Sequence, residues 1–227
     1  MTRPGLKVLG AVVALLVAAN SGNALPTRGH VAQGDLLDRA VAAWAKVRTA
    51  RGTFEQTITN SLTGRTMTTT GEYQQDRPGK LAVTFAAPGN DRIVADGKYV
   101  WLYLPSSAPD QVIRTALGPG GTGTMDLTAQ FLTAPRTRYA VTTIGAVSVG
   151  GRPTHGYTLV PKSSAGAPFT TASVWIDDAD ATIRQFEVTE TNGVQRRIRL
   201  TSFRPNAKVD ASAFVFTPPA GVRIVMR

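Results

Sequence analysis

The run from Tyr99 to Leu104 constrains the fold more than any other segment, because it is apolar on both of its alternating faces. Successive side chains of an extended strand point to opposite faces. One face of this run therefore carries Tyr99, Trp101 and Tyr103, and the other carries only aliphatic side chains. A half-exposed strand would alternate apolar and polar residues. We therefore predict a strand that is covered on both faces.

The run that precedes it, Leu81 to Phe85, does alternate large apolar residues with small or polar ones. An antiparallel meander that contains one doubly covered strand indicates a curved sheet with apolar material in its concave face. That material is either the core of the protein alone or the core together with an apolar ligand. The pattern leaves both alternatives open.

Residues 1–24 have the pattern of a secretory signal peptide. Arg3 and Lys7 precede an uncharged apolar stretch from Val8 to Ala19, and small residues before Ala24 suit cleavage at that position. The stretch is short for a membrane span, and an uncleaved anchor is the alternative. We therefore predict export, a flexible linker over 25–34 and a single domain over 35–227.

Composition narrows the possible partners. The absence of cysteine excludes disulfides in an oxidising compartment and lipid attachment at an N-terminal cysteine, so we expect a soluble mature chain. The net charge of +10 favours contact with anionic lipid headgroups or acidic proteins. Export and the lack of a nucleic-acid-binding motif argue against nucleic acid. The densest basic cluster, Arg196, Arg197 and Arg199, is interpreted as a solvated strand face.

Apolar residues at helical spacing predict one amphipathic helix from Asp35 to Ala50. Asp35 is a suitable N-cap for this helix, and Gly52 is a suitable stop signal. Because the chain then continues into strands, the apolar stripe of the helix is expected to pack on the sheet.

Turn signals separate eleven strand-like runs, a number that is typical of an antiparallel barrel or sandwich. No internal repeat or second domain is evident. The runs are 53–62, 66–75, 81–85, 93–95, 99–104, 111–117, 139–149, 155–160, 171–176, 183–189 and 194–203.

The meander is interrupted once, between Leu117 and Tyr139. A glycine-rich stretch over 118–123 precedes a predicted short helix from Asp126 to Thr133, which ends before Pro135. An insert with flexible glycines at its base is typical of a lid over the mouth of a curved sheet. A mobile surface loop is the alternative.

Catalytic signatures are missing from the sequence. The glycine-rich stretch lacks the ending of a phosphate-binding loop, and no nucleophile elbow occurs. His30 and His155 have no second metal ligand at a suitable spacing. Asp177, Asp178 and Asp180 are good turn residues, with a calcium site as the alternative. We expect no metal, no cofactor and no enzymatic activity, and hence a binding protein.

A set of short motifs follows the amphipathic N-terminal helix in order along the chain. The motifs are Gly52-Thr53-Phe54-Glu55-Gln56, Gly71-Glu72-Tyr73, Arg77-Pro78-Gly79-Lys80, Pro88, Ile93-Val94-Ala95-Asp96-Gly97, Val100-Trp101-Leu102-Tyr103, Gln111-Val112, Tyr157-Thr158-Leu159-Val160-Pro161-Lys162 and Phe214-Val215-Phe216-Thr217-Pro218-Pro219-Ala220-Gly221-Val222. Each motif is weak alone, and their order and spacing make the set specific. The set resembles the outer-membrane lipoprotein carrier protein family, LolA, from about Asp35 to Val222.

The resemblance implies a mainly β fold with helices (α+β), an unclosed antiparallel β-barrel with a helical lid over an apolar cavity. It implies a periplasmic chaperone that binds the acyl chains of lipoproteins released by an ATP-driven inner-membrane complex. The chaperone would carry them to an outer-membrane lipoprotein acceptor. Since this chain has no lipidation cysteine, it resembles the soluble, monomeric carrier and not the acceptor.

The resemblance also assigns roles to residues. It implies that Arg77 hydrogen-bonds lid segments and couples opening to loading, for which the planar guanidinium with its five donors is suited. Val83 occupies a position where the family commonly has an aromatic residue, which puts a family role for it in doubt. The residues expected to line the lipid cavity are Leu81, Val83, Phe85, Trp101, Tyr103, Leu127, Phe131 and Leu132. Whether Trp101 contacts ligand or only core is left open.

Three other functions remain as alternatives. One is a periplasmic carrier of a different lipid, such as a phospholipid or glycolipid. A second is a sensory or regulatory lipid-binding module of the same fold. The third is an exported enzyme, which would depend on a residue such as Asp177 or His155.

Overall fold

The computed structural model of the chain describes residues 35–118, 126–165 and 167–226, without the side chain of Leu127. The signal peptide, the linker over 25–34, His30 and most of the glycine-rich stretch lie outside the described residues. No helix within these described ranges is long and apolar enough to cross a membrane.

Twelve strands form one sheet in the order β12-β6-β5-β4-β3-β2-β1-β11-β10-β9-β8-β7. All neighbouring strands are antiparallel except β12 and β6. β12 and β7 lie at opposite edges of the order, so the barrel is unclosed, as expected. The strands are β1 Thr49–Asn60, β2 Thr66–Asp76, β3 Lys80–Phe85, β4 Arg92–Asp96, β5 Tyr99–Tyr103, β6 Gln111–Ala116, β7 Tyr139–Val149, β8 Arg152–Pro161, β9 Phe169–Asp177, β10 Ile183–Glu190, β11 Val194–Pro205 and β12 Arg223–Met226.

The eleven predicted strands are confirmed, with shifts of a few residues at their ends. Sequence reasoning missed β12, which is only four residues long and pairs in parallel with β6. The segment that leads to it crosses the sheet and includes a short 3-10 helix, Ala211–Phe214. Its strand character arises from that tertiary pairing, which no local pattern records.

The first helix, α1, spans Leu36–Ala45 and is shorter than predicted. Asp35 is its N-cap, as expected, and accepts a hydrogen bond from the Leu37 backbone N–H at 3.3 Å. The predicted C-terminal end at Ala50 was wrong, because Thr49 and Ala50 begin β1 and pair with β2 and β11.

Gly52 was also misinterpreted as a helix stop, because it lies inside β1. A Cβ at this position would lie 2.2 Å from the backbone oxygen of Ser202. The register between β1 and β11 shifts just after it, between Thr53 and Phe54. Gly52 therefore permits the close approach of two strands, a common reason for glycine within a strand.

Two short helices follow the glycine-rich stretch: α2, Leu127–Leu132, and α3, Pro135–Arg138. The predicted helix over 126–133 is confirmed by α2, whose N-cap is Asp126. Pro135 begins α3, where its missing N–H costs no helical hydrogen bond.

The two faces of the sheet are covered differently. On the face that we call the inner face, α1 and α2 pack over β8, β9 and β10 in one continuous core. On the opposite, outer face, Trp101, Val94 and Val112 are buried beneath Phe216 and Val222 of the C-terminal segment.

The prediction that β5 is covered on both faces is confirmed. Val100 and Leu102 pack on the inner face with Leu81 and its neighbours. Trp101 packs on the outer face with Phe216 at a ring separation of 5.6 Å.

Candidate functional site: an apolar cavity beneath a helical lid

A cavity of about 340 Å³, which we call the main cavity, lies against the inner face of β1 to β4, β10 and β11. Alternation along each strand directs every second side chain into it. Most of the lining residues are apolar, and Gln56, Gln75, Asp126, Thr128 and Arg196 contribute polar groups. The lining residues are Phe54, Gln56, Tyr73, Gln75, Leu81, Val83, Phe85, Ile93, Asp126, Thr128, Phe186, Arg196, Ile198 and Leu200.

A second cavity of about 340 Å³ lies beneath the C-terminal end of α1. Its wall includes Trp44 and Val47 from α1 and the following turn, and Leu132 from α2. Thr128 and Leu200 line both cavities. Thus α2 and β11 form the partition between the two spaces.

Asp126 joins α2 to the wall of the main cavity. Its Oδ1 accepts a hydrogen bond from the Ala129 backbone N–H at 2.8 Å, and its Oδ2 accepts one from Gln75 Nε2 at 2.6 Å. Burial raises the pKa of Asp126 above its ordinary value, although both hydrogen bonds and the charge of Arg77 act in the opposite direction. Burial and the nearby Asp126 also raise the pKa of Tyr73, so its hydroxyl stays protonated.

Arg77 lies where α1 and α2 approach β2. Its Nη1 donates to the carbonyl oxygens of Trp44 at 2.9 Å and Val47 at 2.8 Å, and its guanidinium carbon lies 4.7 Å above the Trp44 ring. Its Nε lies 3.8 Å from Oδ2 of Asp126. The guanidinium therefore bonds carbonyls in the last turn of α1 and in the turn that follows it, and it faces the N-cap of α2 with the same group.

The other end of α1 is tied to α3 and β8. Arg136 forms ion pairs with Asp35 and Asp38, and the Tyr157 hydroxyl donates to Asp35. Burial alone would raise the pKa of Asp35, but the hydrogen bonds from Tyr157, the Leu37 backbone and Arg136 outweigh it and lower the pKa. Polar contacts thus hold α1 at both ends.

The structure places the predicted cavity residues in different surroundings. Leu81, Val83 and Phe85 lie on the wall of the main cavity. Phe131 is fully buried in the core against Phe186, at a ring separation of 5.3 Å, and Leu132 lines the second cavity. The side chain of Leu127 lies outside the described residues.

The remaining two, Trp101 and Tyr103, require correction, because the structure places both on the outer face of β5. Trp101 Nε1 donates to Asp96 Oδ2 at 2.8 Å. Tyr103 packs beside Phe216 at a ring separation of 6.1 Å. Alternation identified two covered faces correctly, but the residues that face the cavity side are Val100 and Leu102.

Arg196 is a second correction, because it was interpreted as part of a solvated strand face. Arg197 and Arg199 do lie on the outer face, where they pair with Glu187 and Glu55. Arg196 instead lines the main cavity. Its position in phase with Ile198 and Leu200 was the signal that could have identified it.

The aspartates of the β9–β10 turn have structural partners. Asp177 is 1% exposed and pairs with Arg152 and Arg184, while Asp180 pairs with the same two arginines. Asp178 Oδ1 lies 2.6 Å from His155 Nδ1. Among the described residues, no group of three or more acidic or histidine side chains could hold a metal ion.

A single open sheet that holds helices and an apolar cavity against one face defines a class of proteins able to shelter an apolar ligand. The family model described as "Outer membrane lipoprotein carrier protein LolA" matches residues 45–217. The chain belongs to this family.

Two relatives are both described as outer-membrane lipoprotein carrier proteins. One, from Serratia proteamaculans, is 31% identical over 182 residues, covering 79% of this chain and 82% of the relative. The other, from Methylibium petroleiphilum, is 25% identical over 202 residues, covering 89% and 95%.

Among solved structures, an uncharacterized conserved protein from Thermus thermophilus is similar with a TM-score of 0.53 at 14% identity, covering 85% of this chain and 97% of that one. This likeness supports the fold alone.

Proposed function

We propose that this protein is a periplasmic chaperone that binds the acyl chains of lipoproteins released from the inner membrane and carries them to the outer membrane. The apolar cavity against the inner face of the sheet carries this proposal. Family membership and relatives described as outer-membrane lipoprotein carriers support the choice of cargo.

The physical need for a carrier follows from the cost of exposing acyl chains to water. Burying one CH₂ contributes about 0.8 kcal/mol, so one long acyl chain resists transfer into water by roughly 10 kcal/mol. Three chains on one lipoprotein therefore require a shielded route. A carrier must also release its cargo, which favours an aliphatic wall without a tight shape match.

The main cavity of about 340 Å³ lies near the lower end of the range for small-molecule sites, about 300–1,000 Å³. Three acyl chains need more space than this. Because Thr128 of α2 lines both cavities, a displacement of α2 would join the two spaces. We therefore interpret the structure as the closed form of the carrier and α2 as the movable part of its lid.

Arg77 is the residue that we propose to couple lid position to loading. It bonds the carbonyls of Trp44 and Val47 and faces Asp126. Movement of either helix would break contacts to the same guanidinium. The planar fork can hold several acceptors at once, which lysine cannot do.

The remaining parts of the proposal concern the route. Cleavage after Ala24 would release a soluble chain into the periplasm. We propose an ATP-driven inner-membrane complex as the donor and an outer-membrane lipoprotein as the acceptor, with the carrier as a monomer without enzymatic activity.

The test is a release assay with inner-membrane vesicles that contain acylated lipoproteins. The mature protein should extract lipoprotein into the soluble fraction, and Arg77→Leu and Arg77→Lys should impair transfer while thermal melts show a folded chain. Arg65→Leu, in the exposed β1–β2 turn, is the matched control and should transfer normally. Extraction of phospholipid or glycolipid without lipoprotein, identified by mass spectrometry, would contradict the proposed cargo.

A further inference from the structure

Gln56 is a nearly fully buried polar residue on the mainly apolar wall of the main cavity. It is 7% exposed and lines the main cavity from β1, next to Phe54 in the alternation of that strand. A buried amide is costly unless its donors and acceptors have partners. The partners of Gln56 therefore indicate what this part of the cavity can accommodate.

The orientation of this amide is fixed by its neighbour. Arg196 Nη1 donates to Gln56 Oε1 at 3.0 Å. Since a guanidinium has donors and no acceptor, the atom that faces it must be the amide oxygen. The NH₂ group of Gln56 is therefore on the other side of the amide, and it has no hydrogen-bond partner among the described residues.

Arg196 is itself held in place from behind. Its Nε and Nη2 donate to Glu190 Oε1 at 3.1 and 2.9 Å. This ion pair fixes the guanidinium and leaves Nη1 directed at Gln56. The other two of its five N–H groups have no partner within the described part of the chain, and Arg196 lines the main cavity.

A second buried polar group lies on the same face of the sheet, beside Gln56. Thr69 lies directly opposite Gln56 in the register of β1 and β2. Directly opposed side chains of an antiparallel pair are close neighbours on one face. The Thr69 hydroxyl is buried and has no hydrogen-bond partner in the described part of the chain.

We propose that Gln56, Arg196 and Thr69 form a subsite for the carbonyl oxygen of an acyl ester or amide at the polar end of a bound acyl chain. This inference rests on the proposed function, since it assumes that acyl chains enter the main cavity. A neutral carbonyl accepts hydrogen bonds and donates none, so it complements the free amide N–H groups and the hydroxyl. The apolar wall formed by residues such as Leu81 and Phe85 would receive the hydrocarbon.

The decisive experiment compares two soluble lipids of equal chain length, dioctanoylglycerol and its diether analogue dioctylglycerol, which lacks both carbonyls. Their dissociation constants are measured by isothermal titration calorimetry. The wild-type protein should bind the ester about two- to tenfold more tightly than the ether, the range expected for one net hydrogen bond. Gln56→Leu should lose this preference and keep its affinity for the ether.

Two further variants distinguish a subsite from a general change in the cavity. Thr69→Val, which keeps the side-chain shape, should reduce the preference partly. Gln195→Leu makes the same substitution at an exposed neighbour of Arg196 and should keep the full preference. Thermal melts verify that each variant is folded.

Equal binding of ester and ether by the wild type, or a preference that survives in Gln56→Leu, would overturn the subsite and leave acyl binding intact. Binding of neither lipid would overturn the proposed function and the subsite together. Repeating the comparison with a triacylated lipopeptide and a diacyl phosphatidylglycerol identifies the source of the carbonyl. If Gln56→Leu loses more affinity for one of these two ligands than for the other, the result supports the subsite and identifies the class of ligand that it binds naturally.

Discussion

The inner face of the sheet has a filled half and a cavity half, and the two differ in what the helices supply. In the filled half, over β8 to β10, α1 and α2 insert side chains between strand residues, and Leu159, Val174 and Ile176 are fully buried. In the cavity half, over β1 to β4 and β11, the apolar side chains line the main cavity, and the N-cap Asp126 and Thr128 of α2 contribute to its wall.

The strands of both halves use the same alternation of apolar and polar residues. A domain of this kind normally packs its core as densely as an organic crystal, because voids forfeit dispersion contacts. The cavity half departs from that density, whereas Leu159, Val174 and Ile176 of the filled half are fully buried and the second cavity lies at its margin, beneath the C-terminal end of α1. The comparison teaches that the filled half supplies the stability of the fold and that the cavity half is available for a ligand.

A matched pair of leucines gives the largest expected contrast. Leu159→Ala in the filled half should lower the free energy of unfolding by about 2–5 kcal/mol, because it leaves a void among close-packed neighbours. Leu200→Ala, on the wall of both cavities, should cost about 1 kcal/mol, since that side chain already has empty space beside it. Urea unfolding of both variants measures the difference. Equal losses would show that the cavity half is packed as tightly as the filled half.

Substitution of the buried carboxylate Asp177 at the end of β9 should have the next largest effect on the free energy of unfolding. Burial alone would raise the pKa of Asp177, but hydrogen bonds from Arg152, the Ala179 backbone and Arg184 outweigh it and hold the pKa below its ordinary value. Its contribution to stability is therefore present above pH about 4 and is lost as the pH falls below that value. Asp177→Asn should cost about 1–3 kcal/mol at pH 7 and progressively less in acid.

The control for this prediction is Asp178→Asn, which removes a neighbouring carboxylate that is more exposed and pairs with His155. It should change the free energy of unfolding at pH 7 by less than about 1 kcal/mol. A constant difference between wild type and Asp177→Asn from pH 7 to pH 3 would contradict the assigned role of the arginine contacts.

Replacing one valine in each half by phenylalanine tests how much extra volume each half can accommodate. Val174→Phe forces a larger side chain into the filled half and should cost about 1–3 kcal/mol. Val83→Phe places the same side chain beside the main cavity and should change stability by less than about 1 kcal/mol, while it lowers the affinity for acyl ligands. Thermal unfolding and lipid titration test the two effects. A large destabilisation by Val83→Phe would show that the cavity cannot accept a side chain.

Sequence patterns predicted the strands of this fold because alternation and turn residues are local properties. They could not choose which face of β5 is the inner one, since the cover of Trp101 comes from Phe216, which lies far along the chain. The end of α1 was misplaced for the same reason. Its last carbonyls are bonded by Arg77, and the residues that follow pair with distant strands.

The sequence predicted part of the candidate site. Leu81, Val83 and Phe85 follow from alternation and lie on the cavity wall. Arg196 was missed because a run of arginines is typical of a solvated face, although its phase relative to Ile198 places it on the inner face. The contact between Arg77 and Asp126 joins residues that only the folded sheet brings together.

Substitution of Asp126 in the cavity half should change the free energy of unfolding least. Its dependence on pH should be opposite to that of the Asp177 substitution. Burial raises the pKa of Asp126, so its contribution to stability is full below pH about 4 and is lost as the pH rises through its pKa in the folded protein. Asp126→Asn keeps an oxygen that can cap α2 and removes the buried charge. We expect a change of less than about 1 kcal/mol at pH 7, with the variant gaining stability relative to wild type as the pH rises.

The same variant tests the lid, because Arg77 loses its charged partner on α2 while its bonds to the carbonyls of Trp44 and Val47 persist. Hydrogen exchange of the α2 amides should therefore accelerate more than that of α1. Asp177→Asn is the matched control, since it changes a carboxylate of the filled half and should leave exchange in α2 unaffected relative to α1. Two results together would contradict this role: the free energy of unfolding of Asp126→Asn varies with pH as that of the wild type does, and exchange changes equally in α1 and α2. The carboxylate would then not hold the lid, and the cavity half would be closed by apolar packing alone.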